Sequence, residues 1–195
     1  MSQGRTLVLA STSPFRRALL EKLQVSFETL SPDVDETRQE GESPQKLVVR
    51  LSEAKARAGA QTYPDALIIG SDQVAVCGDE VLGKPGNHDK ACQQLEQLSG
   101  QRVEFLTGIC LFDSGSGKAR TNIIPFAVTF RELSATQIER YLRTEQPYNC
   151  AGSFKSEALG ISLFEAMHGD DPNALIGLPL IQLVTWLNEA GVNVP

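Results

Sequence analysis

The chain has 195 residues, 41% of them hydrophobic and 22% charged, a composition that excludes a disordered segment and fits a globular fold. With 24 acidic against 18 basic residues its net charge is −6, which argues against a broad basic face for polymeric nucleic acid. The length suits one domain with a sizeable core, or two tightly packed lobes. The N-terminal apolar run is too short for the core of a signal peptide, and no stretch is long enough to span a membrane. Cys77, Cys92, Cys110 and Cys150 form no CxxC pair and read as buried or free thiols of a reducing compartment, so a cytoplasmic location is expected. His88 and His168 are the only histidines, each read as a surface or packing residue, and neither a His-rich zinc site nor a Ser-His-Asp triad is expected.

The first predicted element is a buried strand over residues 7–10. The polar turn Ser11, Thr12, Ser13 leads from it into an amphipathic helix that opens at Pro14. Ser13 suits the N-cap and Pro14 the first helical position, while Leu19, Leu20 and Leu23 supply an apolar face. Arg16 and Arg17 stand in the first turn, against the positive end of the helix dipole. A bound anion would reverse that cost, since backbone N–H groups, hydroxyls and guanidinium groups would converge on it. The alternative is an ordinary capped helix whose arginines point into water.

Residues 26–30 alternate as a strand, and the acidic stretch 32–41 carries Asp33, Asp35, Glu36 and Glu40. Ser43 caps and Pro44 opens a second helix to about residue 60. Its apolar face is Leu47, Val48, Leu51 and Ala54, flanked by Arg50 and Lys55. Residues 65–70, DALIIG, form an apolar run suited to a central strand covered on both faces. The strand is expected to end at Ser71, Asp72 and Gln73 and to resume over 74–76. A turn over 77–80 and a loop over 83–86 precede a helix over 89–98. Strands over 102–113 and 119–131 form a hairpin through the tip at 114–117. Ser134 with Gln137 makes a capping box for a helix to about residue 143. Residues 148–160 are rich in Gly, Ser and Ala, 161–166 read as a strand, and Pro179 starts a closing helix that stops at Gly191. The βα units with a hairpin predict an α/β fold with a mixed, twisted sheet flanked by helices and a cleft.

Asp72 is the residue most open to a chemical reading. A carboxylate that interrupts an apolar strand needs a partner, a metal or a water to activate, because an unpaired buried charge costs several kcal/mol. Asp35, Glu36 and Asp72 are candidate ligands of Mg²⁺. Lys84, in a loop made rigid by Pro85 and bare by Gly83, suits a lysine reaching inward. Ser13, Arg16, Lys55 and Lys84 as anion ligands, with Asp72 and Glu36 as acidic partners, make the inventory of a metal-assisted phosphoryl or nucleotidyl hydrolase.

These residues resemble the Maf family of nucleotide pyrophosphatases: SxSP followed by Arg16, the Asp35-Glu36 pair, LSEAKA with Lys55, GSDQV with Asp72, GKP with Lys84, LSG at 98–100, and AGSFKSEALG at 151–160. The resemblance runs nearly end to end. It implies a single domain over residues 1–195 with a fold like that of Maf proteins and inosine triphosphatases. It also implies an enzyme that cleaves a nucleoside triphosphate to the monophosphate and pyrophosphate with a divalent cation, Mg²⁺ or Mn²⁺. Asp72 would be the proton acceptor that activates water, with Glu36 and Asp72 as metal ligands. The partner is a small-molecule nucleoside triphosphate; no polymeric nucleic acid and no membrane are expected, and a homodimer is left open.

Most members resembling dTTP/UTP pyrophosphatases carry arginine, threonine and glutamine where this chain has Phe15, Gln73 and Glu157. An aromatic, a glutamine and a glutamate there resemble the 7-methyl-GTP pyrophosphatase branch, which has tryptophan at the Phe15 position. The physics points the same way, since N7-methylguanine is cationic and attracts an aromatic face, and a carboxylate accepts from both N–H groups of guanine's Watson–Crick edge. The alternatives are a pyrophosphatase for dTTP, UTP or noncanonical nucleotides, and a nucleotide-sensing regulator without turnover. A sensor would have no need of a base at Asp72.

Overall fold

A computed structural model describes residues 5–195, which form seven strands and six α-helices. The strands make one mixed sheet in the order β2-β1-β3-β5-β6-β7, with β4 paired to β3. They are β1 (Thr6–Ala10), β2 (Glu28–Leu30), β3 (Ala66–Cys77), β4 (Glu80–Leu82), β5 (Arg102–Asp113), β6 (Lys118–Phe130) and β7 (Phe164–His168). β1 runs parallel to both β2 and β3, whereas β4 and β7 run antiparallel to β3 and β6. Among the described residues no helix is long and apolar enough to cross a membrane.

The chain divides into two units. The first comprises residues up to Gln73 with Thr107–Ile124 and Gly177–Pro195. It holds α1 (Pro14–Glu21), α2 (Pro44–Ala58) and α6 (Leu180–Glu189). Its core joins Val8, Ala10, Ala66 and Ile68 of the parallel strands to Ala56 of α2 and to Cys110 and Phe112 of β5. Two glycines set how closely α2 lies on the sheet. A Cβ at Gly70 would overlap the Ser52 carbonyl and the Ala56 amide, and one at Gly108 would overlap the Val48 carbonyl and the Ser52 hydroxyl. Gly70→Ala is therefore expected to push α2 outward, at about 1–3 kcal/mol for overpacking. Denaturant unfolding measures it, and an unchanged midpoint would mean that the helix shifts freely.

The second unit comprises Val74–Leu106 and Pro125–Ile176. It contains α3 (His88–Leu98), α4 (Ala135–Glu145) and the short α5 (Pro172–Ile176). Its core is aromatic: Phe105, Phe130, Phe154 and Phe164 meet edge to face at centroid distances of 4.9–5.6 Å.

Several expected boundaries move. β3 is not interrupted at residues 71–73, because the buried polar groups there have partners within reach. Ser71 Oγ lies 2.7 Å from the Gly108 carbonyl and 2.9 Å from that of Gly177. The strand expected over 161–166 is a 3₁₀ turn, Leu159–Leu163, followed by β7. β2 is three residues long, and α5 has no counterpart among the predicted elements. Asp171 caps α5, its Oδ1 accepting from the Asn173 N–H at 2.9 Å, so the Asp171-Pro172 pair was its sequence signal.

Candidate active site

The candidate site in the first unit lies at the carboxyl ends of two parallel strands, where α/β sheets usually bind ligands. Leu9 of β1 pairs with Ile69 of β3. One residue past Leu9, β1 gives way to the Ser11–Ser13 turn, while β3 continues through Asp72. The Ser13 side chain accepts from the Arg16 N–H at 3.4 Å, and the Ser11 hydroxyl accepts from the Ser13 N–H at 3.1 Å, so the turn entering α1 is fixed by its own hydroxyls. The paired arginines then part company. Arg17 is exposed and pairs with Glu21 at 3.0 Å, as an ordinary helical ion pair. Arg16 is half-buried, and its Nε donates to the Gly177 carbonyl at 2.8 Å. Burial pulls its pKa below the usual arginine value, against the opposing pull of the Asp72 and Glu36 charges.

Lys55 is the centre of the arrangement. The sequence suggested a flanking residue, yet it is only 6% exposed. Val48, Leu51, Ser52, Lys55 and Ala56 are the buried stripe of α2, and Lys55 falls seven residues after Val48 on it. That spacing was the signal that could have revealed an inward lysine; Ala54, expected on the apolar face, is only partly buried. The Lys55 ammonium lies 2.7 Å from Asp72 Oδ1 and 2.7 Å from Glu36 Oε1. Glu36 is 62% exposed in its side chain and Asp72 only 12%, so the triad runs from the interior to solvent.

The loop that presents Glu36 is clamped from α2, a feature the sequence did not disclose. Arg50 donates to Glu42 at 2.7 and 2.9 Å and to the Thr37 carbonyl at 3.0 Å, and the Arg38 side chain donates to the Glu42 carbonyl. The Arg50 guanidinium lowers the Glu42 carboxyl pKa to about 2, so the clamp stays ionised at any ordinary pH. Asp35 Oδ1 accepts from the Thr37 N–H at 2.9 Å, a local turn bond that stiffens the same loop.

The remaining candidates are distributed as follows. Phe15, in the first turn of α1, is 37% exposed, a large apolar ring at the surface. Gln73 donates through Nε2 to the Thr107 hydroxyl at 2.9 Å. In the second unit, Lys84 is exposed beside buried Pro85, and the Gly86 N–H anchors the loop on the Tyr148 carbonyl at 2.9 Å. Glu157 is exposed and accepts weakly from the Ser156 hydroxyl at 3.4 Å. The charges of Lys84 and Glu157 both reach the Cys150 thiol, whose pKa is raised mainly by burial. Neighbouring Lys155 is fully engaged with Glu145, donating to its carbonyl and its carboxylate at 3.1 Å.

Asp72, Glu36, Lys55 and Arg16 thus put two carboxylates, an ammonium and a guanidinium at one pair of strand ends. Such a set can attract a polyanion and still offer a carboxylate base. The sequence profile of Maf-like proteins matches residues 6–190. A protein of Colwellia psychrerythraea named 7-methyl-GTP pyrophosphatase is 58% identical over 190 residues, covering 97% of this chain and 95% of its own length. Proteins of the same name from Alcanivorax borkumensis and Pseudomonas putida are 58% and 55% identical, covering 99% and 97% of this chain and 98% of each relative. A profile that takes in both parallel strands, the clamped acidic loop and the closing helix, with relatives this similar over the same span, establishes that the chain belongs to the family of Maf-like proteins.

Proposed function

We infer that this chain is a nucleotide pyrophosphatase, a hydrolase of acid anhydrides, that cleaves 7-methyl-GTP to 7-methyl-GMP and pyrophosphate. The observation that carries the reading is Asp72, buried on Lys55 at the strand ends, in a chain 55–58% identical to five proteins named for that activity. Asp72 accepts the proton of the attacking water. Lys55 holds Oδ1 of that carboxylate and so fixes its orientation. Arg16, with the Ser13 turn at the start of α1, takes phosphate oxygens, and Lys84 has the same role. A divalent cation, Mg²⁺ or Mn²⁺, suits the hard oxygen donors Asp72 and Glu36, between which a cationic ammonium already sits. When bound, such an ion neutralises charge on the phosphates. A cytoplasmic setting belongs to the same reading, supported by four free cysteines.

Base choice falls to Phe15, Gln73 and Glu157. A half-exposed aromatic ring can stack on the cationic base, with cation–π attraction of about 0.5–2 kcal/mol. Guanine offers two adjacent donors, N1–H and the N2 amino group, which an ionised Glu157 accepts in parallel. The test is pyrophosphate release from 7-methyl-GTP, GTP, UTP and dTTP with Mg²⁺ or Mn²⁺, and 7-methyl-GTP is expected to give the highest kcat/KM. Glu157→Gln replaces one acceptor by a donor, leaving a donor facing a donor at about 1–3 kcal/mol, or roughly 5- to 150-fold. Uracil and thymine present an alternating edge that an amide can match, so the variant should gain on them relative to 7-methyl-GTP. A uniform drop across all four substrates would remove Glu157 from base reading.

A further inference from the structure

A second cluster of ligand-type side chains lies in the second unit, in the α3–α4 pair, and takes no part in the reaction proposed above. His88 and Cys92 stand four residues apart on α3, hence on one face of it, and Glu139 faces them from α4. His88 Nε2 is 2.8 Å from Glu139 Oε2, and Cys92 Sγ is 3.9 Å from the same oxygen. All three ligand atoms fall within 4.8 Å of one another. We propose that His88, Cys92 and Glu139 form a binding site for a zinc-class divalent cation that ties α3 to α4.

Imidazole, thiolate and carboxylate together are a ligand set that zinc favours and that magnesium does not. Tetrahedral bonds of about 2.0 Å to nitrogen and oxygen and 2.3 Å to sulfur separate the ligand atoms by about 3.3–3.6 Å. The observed 2.8 and 3.9 Å bracket that range on the two edges that meet at Glu139, and all three ligand atoms lie within 4.8 Å of one another, so side-chain adjustment without backbone movement brings them to one ion. His88 and Glu139 keep 32% and 40% of their side chains exposed, which leaves a path for the ion and room for a water as fourth ligand.

The surroundings fit as well. Tyr148 OH lies 3.0 Å from His88 Nδ1 and 3.4 Å from the Leu142 carbonyl. When Nε2 turns to a metal, Nδ1–H donates to the Tyr148 oxygen, and the Tyr148 hydroxyl turns to donate to the Leu142 carbonyl. Metal-bound histidines commonly have such a partner on the other ring nitrogen. Burial, with the charges of Glu139, Glu96 and Asp89, raises the Cys92 thiol pKa, so the thiol keeps its proton until a cation arrives, while the same negative charge attracts that cation. Arg143, paired with Glu139 Oε1, leaves Oε2 turned to the cluster. Binding releases the thiol proton of Cys92 and leaves the His88 ring N–H on Nδ1.

The test strips the full-length protein with a chelator and titrates it with Co²⁺ as a spectroscopic stand-in for Zn²⁺. Thiolate-to-cobalt charge-transfer absorption should saturate at the intensity of one thiolate-bound Co²⁺ per chain, bleach on adding Zn²⁺, and accompany a rise in unfolding temperature. The oxygen ligands Asp72 and Glu36 cannot produce that absorption, so the catalytic cation does not interfere. Cys92→Ser should abolish the signal and Cys150→Ser should keep it. Should Cys92→Ser fail to fold, Glu139→Gln should weaken Co²⁺ binding at least tenfold. Absence of the band in the native protein, its survival in Cys92→Ser, or unchanged affinity in Glu139→Gln would overturn the proposal.

Discussion

Asp72→Asn is expected to lower pyrophosphate release from 7-methyl-GTP by ~10²–10⁴-fold, the usual loss when a general base is removed. Nucleotide affinity and unfolding temperature should stay close to those of the native protein. The amide has the shape of the carboxylate, and its oxygen can still accept from the Lys55 ammonium now 2.7 Å from Oδ1. Lys55 also keeps Glu36 as an ionic partner, so no buried cation is stranded. What the amide cannot do is take a proton from water. Steady-state kinetics beside calorimetric titration with the nucleotide separates the two roles Asp72 could play. If Asp72 acts mainly by holding the cation, excess Mn²⁺ should recover part of the rate; if it acts as the base, no concentration of metal will. Near-native turnover in a clean sample would remove Asp72 from the chemistry and leave the base to another group.

The fold was legible where local chemistry is strong. The Ser13-Pro14 and Ser43-Pro44 starts, the Ser134–Gln137 capping box and the hairpin tip at 114–117 each specify their own geometry through a cap or a turn. Legibility failed where tertiary partners decide. Ser71 and Asp72 look like a strand break until the Gly108 and Gly177 carbonyls and the Lys55 ammonium are placed beside them. The same holds in the acidic loop, where Glu36 and Asp35 were legible as residues but the Arg50–Glu42 clamp that holds them was not. Lys55 is the instructive case. Its motif marks it as chemical, but its burial is carried by a helical spacing that its own charge masks. Glycines 70 and 108, which let α2 come close enough for that lysine to reach β3, carry no chemistry and gave no local signal.

Lys55→Met should produce the largest change in stability, about 3 kcal/mol, read from urea unfolding at constant slope. Methionine matches the length and apolar stem of lysine and suits the buried stripe of α2, so little packing is lost. The cost is electrostatic: Asp72, 9% exposed, would lose the ammonium that its Oδ1 now touches, and Glu36 would lose the cation between the two carboxylates. Asp72→Asn in the same background removes the stranded charge, so the double variant should regain most of the loss although it has two substitutions. That non-additivity is the signature of a direct pair and is not expected of residues that act apart. Activity should move the other way, because the double variant lacks the base and stays inactive while its stability returns. A Lys55→Met protein as stable as the native one would mean that water reaches Asp72 well enough to replace the ammonium. Asp72 would then be oriented by its strand alone, and Lys55 would be left with the substrate phosphates as its one task.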